Sequence, residues 1–315
     1  MDAGVGAAGG PHPVSPGRPV LASIALALAA VACFAILDTT TKYISASVPV
    51  LMALWFRYCF QAVASTVAVL PRGRNLLRTQ HPRFHALRGV LLLLTSLFAF
   101  FSVKHMPVGE FTAIVMITPL AVTLLAITSL GEKVSPLRWA LVAGGFIGTL
   151  VIIRPQRDDF NWAMLLPLGL VACNAWFQVL TSKLARTEDP MTMHFYTGWI
   201  GTLLASLALP FVWTALPAWQ LWAGLLLMGL MGTVGHFLLI LAYARAPAST
   251  LTPYLYAQIG FAMLGGWVVF SHVPDGWSMA GIALIAICGA AGGWLTAREN
   301  RRSTSRTTPP TGAQR

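Results

Sequence analysis

The amino-acid sequence predicts an all-α integral membrane protein with ten transmembrane helices arranged as two inverted five-helix repeats. Three observations predict this fold class: the composition, a series of ten apolar segments, and landmarks that recur at one offset between the two halves. The chain has 315 residues, of which 56% are hydrophobic and 10% charged, and its mean hydropathy is +0.69. Soluble domains carry about 25% charged residues, so this chain has too little charge to cover a soluble globule. Composition therefore excludes soluble, disordered and disulfide-scaffold proteins.

Ten apolar segments approach or exceed the roughly 20 residues that a helix needs to cross the hydrocarbon core. They cover residues 20–43, 50–70, 87–104, 109–130, 137–154, 161–184, 191–213, 218–243, 249–271 and 277–297. The connections between them are short, so we expect no inserted soluble domain. Residues 20–155 form the first predicted half and 156–297 the second. Their polar or Gly/Pro-rich flanks, 1–19 and 298–315, predict disordered tails.

The distribution of basic residues indicates that both termini are cytoplasmic. With a cytoplasmic N-terminus, sixteen Lys and Arg residues fall on the cytoplasmic side and four on the outer side, with Arg57 inside a span. The positive-inside rule favours this orientation. The same distribution accounts for the net charge of +11, which in a soluble protein would suggest nucleic acid as a partner. We therefore expect a lipid bilayer, and no nucleic acid, around this chain.

Landmark residues recur between the two halves at an offset of 141 residues. The matching pairs are Lys42 and Lys183, Pro49 and Pro190, and Gly148 and Gly289. Because each half contains an odd number of spans, the second half must insert in the opposite orientation to the first. Inverted repeats are typical of secondary transporters, which bind their substrate near the midplane between the repeats.

Glycines and prolines predict how some spans pack and bend. Spans 5 and 10 each carry a G-x-x-x-G pattern, which lets helices approach closely. We interpret these patterns as packing between spans 5 and 10 of one chain, with a homodimer contact as the alternative. Pro119 and Pro253 predict kinks in spans 4 and 9, since proline cannot donate a helical hydrogen bond.

The sequence contains no recognisable catalytic, nucleotide-binding or metal-binding motif. No Walker-type loop, paired aspartate motif or cluster of His and Glu ligands occurs in it. The cysteines lie in apolar segments without metal-ligand spacing and are interpreted as small buried hydrophobic residues: Cys33, Cys59, Cys173 and Cys288. We therefore predict no cofactor, no metal and no enzymatic activity. The alternative is an integral membrane enzyme that acts on a lipid-soluble substrate.

Several short motifs stand near the predicted helix ends. They are Gly109-Glu110, Thr118-Pro119-Leu120, Leu130-Gly131-Glu132 and Arg154-Pro155 in the first half, and Ala246-Pro247-Ala248 and Thr252-Pro253-Tyr254 in the second. This pattern resembles the EamA-type ten-helix branch of the drug/metabolite transporter superfamily over residues 20–297. The resemblance implies small-molecule transport and a location in the bacterial inner (cytoplasmic) membrane.

Two further stretches refine the resemblance. The run from Asp38 to Tyr43, followed by Phe56-Arg57, is most similar to the sub-branch that includes S-adenosylmethionine-type and riboflavin-type importers. The chain departs from the family at Ser271-His272, where the family usually has Gly-Glu. This departure affects a position resembling a gating contact and leaves the implied fold unchanged.

The first half concentrates ionisable residues in its spans, where they are costly unless they face a cavity or a partner. Asp38 and Lys42 are four residues apart and share one face of span 1. Arg57 lies about seven residues into span 2, and Glu110, a further candidate binding residue, stands at the start of span 4. We predict that Asp38, Lys42 and Arg57 line the outer mouth of a central cavity and hold a charged or zwitterionic substrate. The alternative is a structural pair of Asp38 with Arg57 or Lys42.

In the second half, the candidate binding residues are polar or aromatic. In the family that the chain resembles, spans 1, 3, 4, 6, 8 and 9 line the cavity. The resemblance therefore implies the following candidate contacts: Asn174, Gln178, His236, Tyr254 and Gln258. Aromatic rings with a few hydrogen-bonding groups suit a flat or partly apolar ligand. For each aromatic residue, packing against lipid or a neighbouring helix is the alternative.

These observations predict a secondary transporter that moves a small polar or aromatic metabolite by alternating access. His236 and Glu110 are the titratable candidates for proton coupling, because imidazole can change charge near physiological pH. The alternative for His236 is a neutral ring that forms a hydrogen bond with a backbone carbonyl.

Overall fold

A computed structural model describes residues 18–72, 78–118, 120–122, 125, 136–154, 162–184, 187–245, 251 and 254–306. Within these ranges the chain forms helices and their connections, and no β-strand occurs. The predicted all-α class is thus confirmed for the described residues. Helices of eight or more residues in these ranges are α1 (Arg18–Ile44), α2 (Val50–Val69), α3 (Pro82–His105), α4 (Val108–Val115), α5 (Pro136–Ile153), α6 (Leu166–Leu184), α7 (Pro190–Val212), α8 (Trp219–Arg245), α9 (Ala257–Phe270) and α10 (Gly276–Arg306).

Six apolar helical segments are long enough to cross a membrane. They comprise α1, α2, α3, α7, α8, and α6 together with the 3₁₀ turn Trp162–Leu165 that precedes it. The other four helices contain shorter apolar stretches. Each of the ten helices overlaps one of the ten predicted apolar segments. The chain is therefore a multi-pass membrane protein.

The fourth predicted span is interrupted near its middle. Helix α4 ends at Val115, a turn follows at residues 116–117, and helical geometry resumes at Thr118. Thr118 Oγ1 donates a hydrogen bond of 2.6 Å to the Val115 carbonyl. In a continuous helix this carbonyl would accept the N–H of residue 119, which is a proline and has none. A turn at Tyr256 likewise precedes α9. Pro119 and Pro253 themselves lie outside the described residues.

Helix α10 extends beyond the predicted boundary of the C-terminal tail. It continues to Arg306, whereas the sequence predicted disorder from residue 298. The apolar stretch ends before residue 298, but a helix can continue beyond the apolar residues that it contains. The added segment is rich in arginine, which is a good helix former and is favourable near a helix C-terminus.

The principal helix contacts join the first five helices to the last five. Helix α1 packs against α8 and α9, α2 against α7 and α8, and α3 against α6 and α7. Helix α4 packs against α9, and α5 against α10. The two halves of the chain are therefore packed into each other, with polar residues enclosed between them.

Glycines allow the closest of these contacts. A Cβ atom added at Gly148 would lie 2.8 Å from Ile285 Cγ1, and one added at Gly144 would lie 2.6 Å from Cys288 Sγ. These two glycines form the G-x-x-x-G pattern of α5, and both neighbours belong to α10. The predicted packing of spans 5 and 10 within one chain is confirmed for this pattern, and a homodimer contact stays a prediction.

Candidate functional site

A cavity lined by both polar and apolar residues lies between α1, α2, α3, α6 and α8 and the two interrupted segments around α4 and α9. Its volume is about 150 Å³. Ligand pockets typically measure about 300–1,000 Å³, so the cavity must enlarge before it can admit a metabolite. The polar residues that line it are Asp38, Arg57, Thr95, Ser96, Thr118, Asn174, Gln178, His236, Tyr243 and Gln258.

Arg57 presents the cationic group of the cavity from α2. Its side chain is buried, and Nη1 donates a hydrogen bond of 2.7 Å to Ser96 Oγ on α3. Ser96 donates its single hydroxyl hydrogen to the Leu92 carbonyl at 2.8 Å, so Tyr58, whose hydroxyl lies 2.7 Å from Ser96 Oγ, must donate to Ser96. The Ser96 oxygen thus accepts from both Arg57 and Tyr58. This network fixes the guanidinium without supplying a negative charge.

Gly232 brings the backbone of α8 against the Arg57 side chain. A Cβ atom added at Gly232 would lie 3.0 Å from Arg57 Nε. The Nε atom is buried and has no hydrogen-bond partner. The Gly232 carbonyl bonds instead to His236 Nδ1 at 2.9 Å. A carbonyl can only accept, so Nδ1 carries the proton in this contact, and the ring is oriented with its Nε2 directed away from Gly232.

Asp38 presents the carboxylate of the cavity from α1. Its Oδ2 accepts a hydrogen bond of 3.3 Å from Gln258 Nε2 at the start of α9. The salt bridges between described residues are His85–Glu188, Arg154–Asp275 and His272–Glu110, so Asp38 and Arg57 do not form one with each other. The structural pair considered from the sequence is therefore absent in this conformation.

Asn174 and Gln178 line the cavity from successive turns of α6. Their spacing of four residues places both side chains on one helix face. Together with Asp38, Arg57, His236 and Gln258, they make six of the nine predicted binding residues that meet in this cavity. Phe34, Phe111 and Phe177 supply aromatic surface beside them.

The other three predicted binding residues lie outside the central cavity. Lys42 Nζ donates to the carbonyls of Val103 and Met106 at 2.8 and 2.9 Å, and so caps the C-terminal end of α3. Glu110 Oε1 lies 3.8 Å from His272 Nε2, in a separate pocket. Tyr254 is 39% exposed.

Sequence reasoning missed a second buried arginine. Arg88 is 2% exposed in α3, although the basic-residue count placed it on the cytoplasmic side, at the start of span 3. Its guanidinium donates to Thr181 Oγ1, to the Met193 carbonyl and to Thr197 Oγ1 at 2.8–2.9 Å. It also lies 4.9 Å from the centre of the Phe177 ring. The one available signal was its position inside the predicted span 87–104.

The pocket that holds Glu110 and His272 lies where α3, α5 and α9 end and α4 and α10 begin. Arg154 follows α5 with a φ of 45°, and its Nη2 lies 2.6 Å from Asp275 Oδ2. Asp275 Oδ1 accepts the Ser278 N–H at 2.8 Å and so caps α10. This backbone donor, together with the Arg154 side chain, lowers the pKa of Asp275 to about 2. This ion pair links the end of α5 to the start of α10, outside the apolar spans.

A multi-pass helical protein whose interrupted helices border a polar cavity between two sets of helices has the architecture of a membrane transporter. The model of the EamA-like transporter family matches residues 21–154. The chain is 32% identical over 280 residues to the riboflavin transporter of Rhizobium johnstonii, covering 86% of this chain and 90% of that protein. The chain therefore belongs to the EamA-like transporter family, within the drug/metabolite transporter superfamily.

Two further comparisons extend this result. The S-adenosylmethionine uptake transporter of Rickettsia bellii is 26% identical over 248 residues, covering 79% of this chain and 85% of that protein. A crystal structure with 20% sequence identity covers 90% of this chain and 99% of its own, with a TM-score of 0.62, and shows likeness of fold alone. The predictions of a small-metabolite transporter, and of no enzymatic activity, are confirmed by family membership.

Proposed function

We propose that the protein carries its substrate through the central cavity by alternating access between two inverted five-helix repeats, residues 20–155 and 156–297. The helix contacts support this proposal, because they are reciprocal. Helices α1 to α5 of the first repeat correspond to α6 to α10 of the second. The contact of α1 with α8 is therefore equivalent to the contact of α3 with α6, and the contact of α2 with α8 is equivalent to that of α3 with α7. The pairs α2–α7, α4–α9 and α5–α10 join equivalent helices. A pseudo-twofold axis between the repeats produces such a pattern.

The interrupted helices are the observation that carries the proposal. The turn at residues 116–117 and the turn at Tyr256 fall at nearly equivalent positions of the two repeats, and residues beside both line the cavity. Transporters place their substrates where discontinuous helices expose polar backbone near the membrane midplane. The cavity is smaller than a typical ligand pocket, and alternating access requires it to widen and to open to each side in turn.

The substrate proposed for this cavity is a small metabolite that combines a ring with polar groups. Three phenylalanine rings and six polar predicted residues surround the same space. The relatives named for riboflavin and S-adenosylmethionine transport act on molecules of this general kind. The proposed location is a bacterial inner membrane with both termini in the cytoplasm, as the basic residues indicate.

We also propose that transport is coupled to protons through His236. Its Nδ1–H bond to Gly232 holds the ring at the cavity wall, where an imidazole can exchange a proton with the cavity. Glu110 is less suited to this role because it lies in a different pocket. An imposed pH gradient should alter uptake by the natural protein, and His236→Gln should remove that response. Uptake that ignores the gradient in the natural protein contradicts coupling.

Counterflow in proteoliposomes tests the transport proposal. Vesicles preloaded with unlabelled riboflavin or S-adenosylmethionine should transiently accumulate the same labelled compound, since a carrier exchanges substrate across the membrane. Protein-free vesicles provide the control. If neither compound, nor any member of a broader metabolite panel, shows saturable exchange, the proposal is wrong.

A further inference from the structure

Arg57 forms no salt bridge with a described residue in this conformation. The residue is 8% exposed, and its one hydrogen bond to a described residue is made to the neutral hydroxyl of Ser96. Its Nε has no partner, and its Nη2 forms no hydrogen bond with a described residue. The guanidinium carbon lies 5.5 Å from the Tyr58 ring centre, which offers only a weak compensation. A buried cation without a counterion is unfavourable in an apolar surrounding.

Asp38 likewise forms no salt bridge with a described residue. It is the sole carboxylate among the described residues that line the cavity, and Arg57 is the sole Lys or Arg among them. Asp38 receives one long hydrogen bond from the neutral amide of Gln258. The two opposite charges thus face one small space from α1 and α2, yet they form no salt bridge with each other.

We infer that the transported molecule is a zwitterion whose anionic group binds Arg57 and whose cationic group binds Asp38. This inference rests on the proposed function and specifies the substrate class of the same cavity. A planar guanidinium matches the geometry of a carboxylate, and its unoccupied Nη2 is available for that contact. The zwitterion supplies a counterion to each of the two residues, so its binding compensates both buried charges together.

The aromatic wall defines the remainder of the molecule. Phe34, Phe111 and Phe177 line the same cavity as the two charged residues. They provide apolar surface for a ring or another uncharged part of the substrate. A neutral ring compound would fill this surface but would leave Arg57 and Asp38 without counterions.

Binding of matched ligand pairs to the purified full-length protein tests the inference. The probes are S-adenosylmethionine and its decarboxylated analogue, tryptophan and tryptamine, and neutral riboflavin. At least one zwitterion should bind more tightly than riboflavin. Loss of its carboxylate should weaken binding about 10- to 100-fold, the range expected for a charged hydrogen bond.

The variants identify the partner of the carboxylate. In Arg57→Gln, the zwitterion and its decarboxylated analogue should bind with affinities within about threefold of each other. The variant lacks the guanidinium that binds the ligand carboxylate, so loss of that carboxylate has little further effect. Asp38→Asn should weaken binding of the zwitterion. Loss of the ligand carboxylate should still weaken binding to this variant, because Arg57 is intact. Arg83→Gln, which removes an exposed arginine from α3, should bind like the natural protein. If Arg57→Gln does not fold, the ligand pairs on the natural protein still decide the result.

Two outcomes overturn the inference and are distinguishable from each other. If riboflavin binds and is transported, while every zwitterion binds more weakly or loses nothing with its carboxylate, the substrate class is wrong and the transport proposal stands. If no probe binds to or is exchanged by the natural protein, the proposed function fails, and the zwitterion assignment fails with it.

Discussion

The guanidinium of Arg88 lies 4.9 Å from the centre of the ring of Phe177, a residue that also lines the central cavity. Arg88 is buried and forms hydrogen bonds with residues of α6 and α7. It therefore supports the cavity wall from behind and joins α3 to two helices of the second half. Its contacts make it a positioning residue for Phe177.

Replacement of Arg88 separates its packing role from its charge. Arg88→Ala should destabilise the protein by about 2–5 kcal/mol, because it empties the space of a large buried side chain. Arg88→Met should recover most of this loss, since a flexible apolar chain refills the space and no buried carboxylate is left unpaired. Thermal unfolding of the two purified variants measures the difference. Equal melting temperatures would show that packing around Arg88 contributes little.

The ion pair between Arg154 and Asp275 predicts a pH-dependent contribution to the free energy of unfolding. The pKa of Asp275 in the folded protein, about 2, lies below its ordinary value of 3.8. Ionised Asp275 therefore stabilises the folded state above about pH 4, and this stabilisation is lost as the pH falls from about 4 toward 2. The difference in melting temperature between the natural protein and Asp275→Ala should be largest near pH 7 and shrink below pH 4.

Asp275→Ser is the matched control for the helix cap. Serine can still accept the Ser278 N–H but cannot pair with Arg154. We expect Asp275→Ala to cost about 1 kcal/mol more than Asp275→Ser, the usual value of an N-cap, because the exposed ion pair itself contributes little. A serine variant as unstable as the alanine variant would indicate that the ion pair matters more than the cap.

The contact between Gly201 and Tyr58 predicts a strong size limit at the α2–α7 interface. A Cβ atom added at Gly201 would overlap the Tyr58 ring, which is fully buried and bonded to Ser96. Gly201→Ala should therefore lower the melting temperature and weaken transport, since displacement of Tyr58 disturbs the Ser96 oxygen that holds Arg57. Gly260→Ala is the matched control, because nothing lies within 4 Å of its added Cβ. The control should be neutral or slightly stabilising, as alanine favours helix. Equal effects of the two substitutions would contradict this explanation.

The proposed orientation can be checked with reporter fusions. Fusions after Arg78 and at the C-terminus should report a cytoplasmic location, and a fusion near Leu216, between α7 and α8, should report an external one. A C-terminus found outside the membrane would contradict both the even number of spans and the inverted-repeat proposal.

The ten described helices, and six of the ten polar residues that line the cavity, could be predicted from sequence, because much of the signal for both is local. Apolar length identifies a membrane helix, and an ionisable residue such as Asp38 inside that helix stands out from its neighbours. The spacing of Asn174 and Gln178 also correctly places them on one face. The choice of the spans that line the cavity came from the family resemblance, because local signals do not specify which helices are neighbours.

The errors concern residues near the ends of spans. Arg88 lies at the cytoplasmic end of the predicted span 87–104, where a basic residue is expected to face the membrane surface, and only the packing of α3 against α6 and α7 reveals its burial. Lys42 shares a helix face with Asp38, but its long side chain reaches the end of α3 instead of the cavity. Such partners come from helices distant in sequence, and one sequence alone does not specify them.

Occlusion of the cavity tests most directly whether transport passes through it. Ala99 lines the cavity on α3, and Ala86 is exposed on the same helix. Ala99→Phe should reduce saturable uptake of the exchanged metabolite into proteoliposomes by about tenfold or more, because a space already smaller than a typical ligand site would be filled. Ala86→Phe, with the same added volume, should transport at the natural rate. If Ala99→Phe folds, inserts and transports as well as Ala86→Phe, the substrate does not pass through this cavity and the account is wrong.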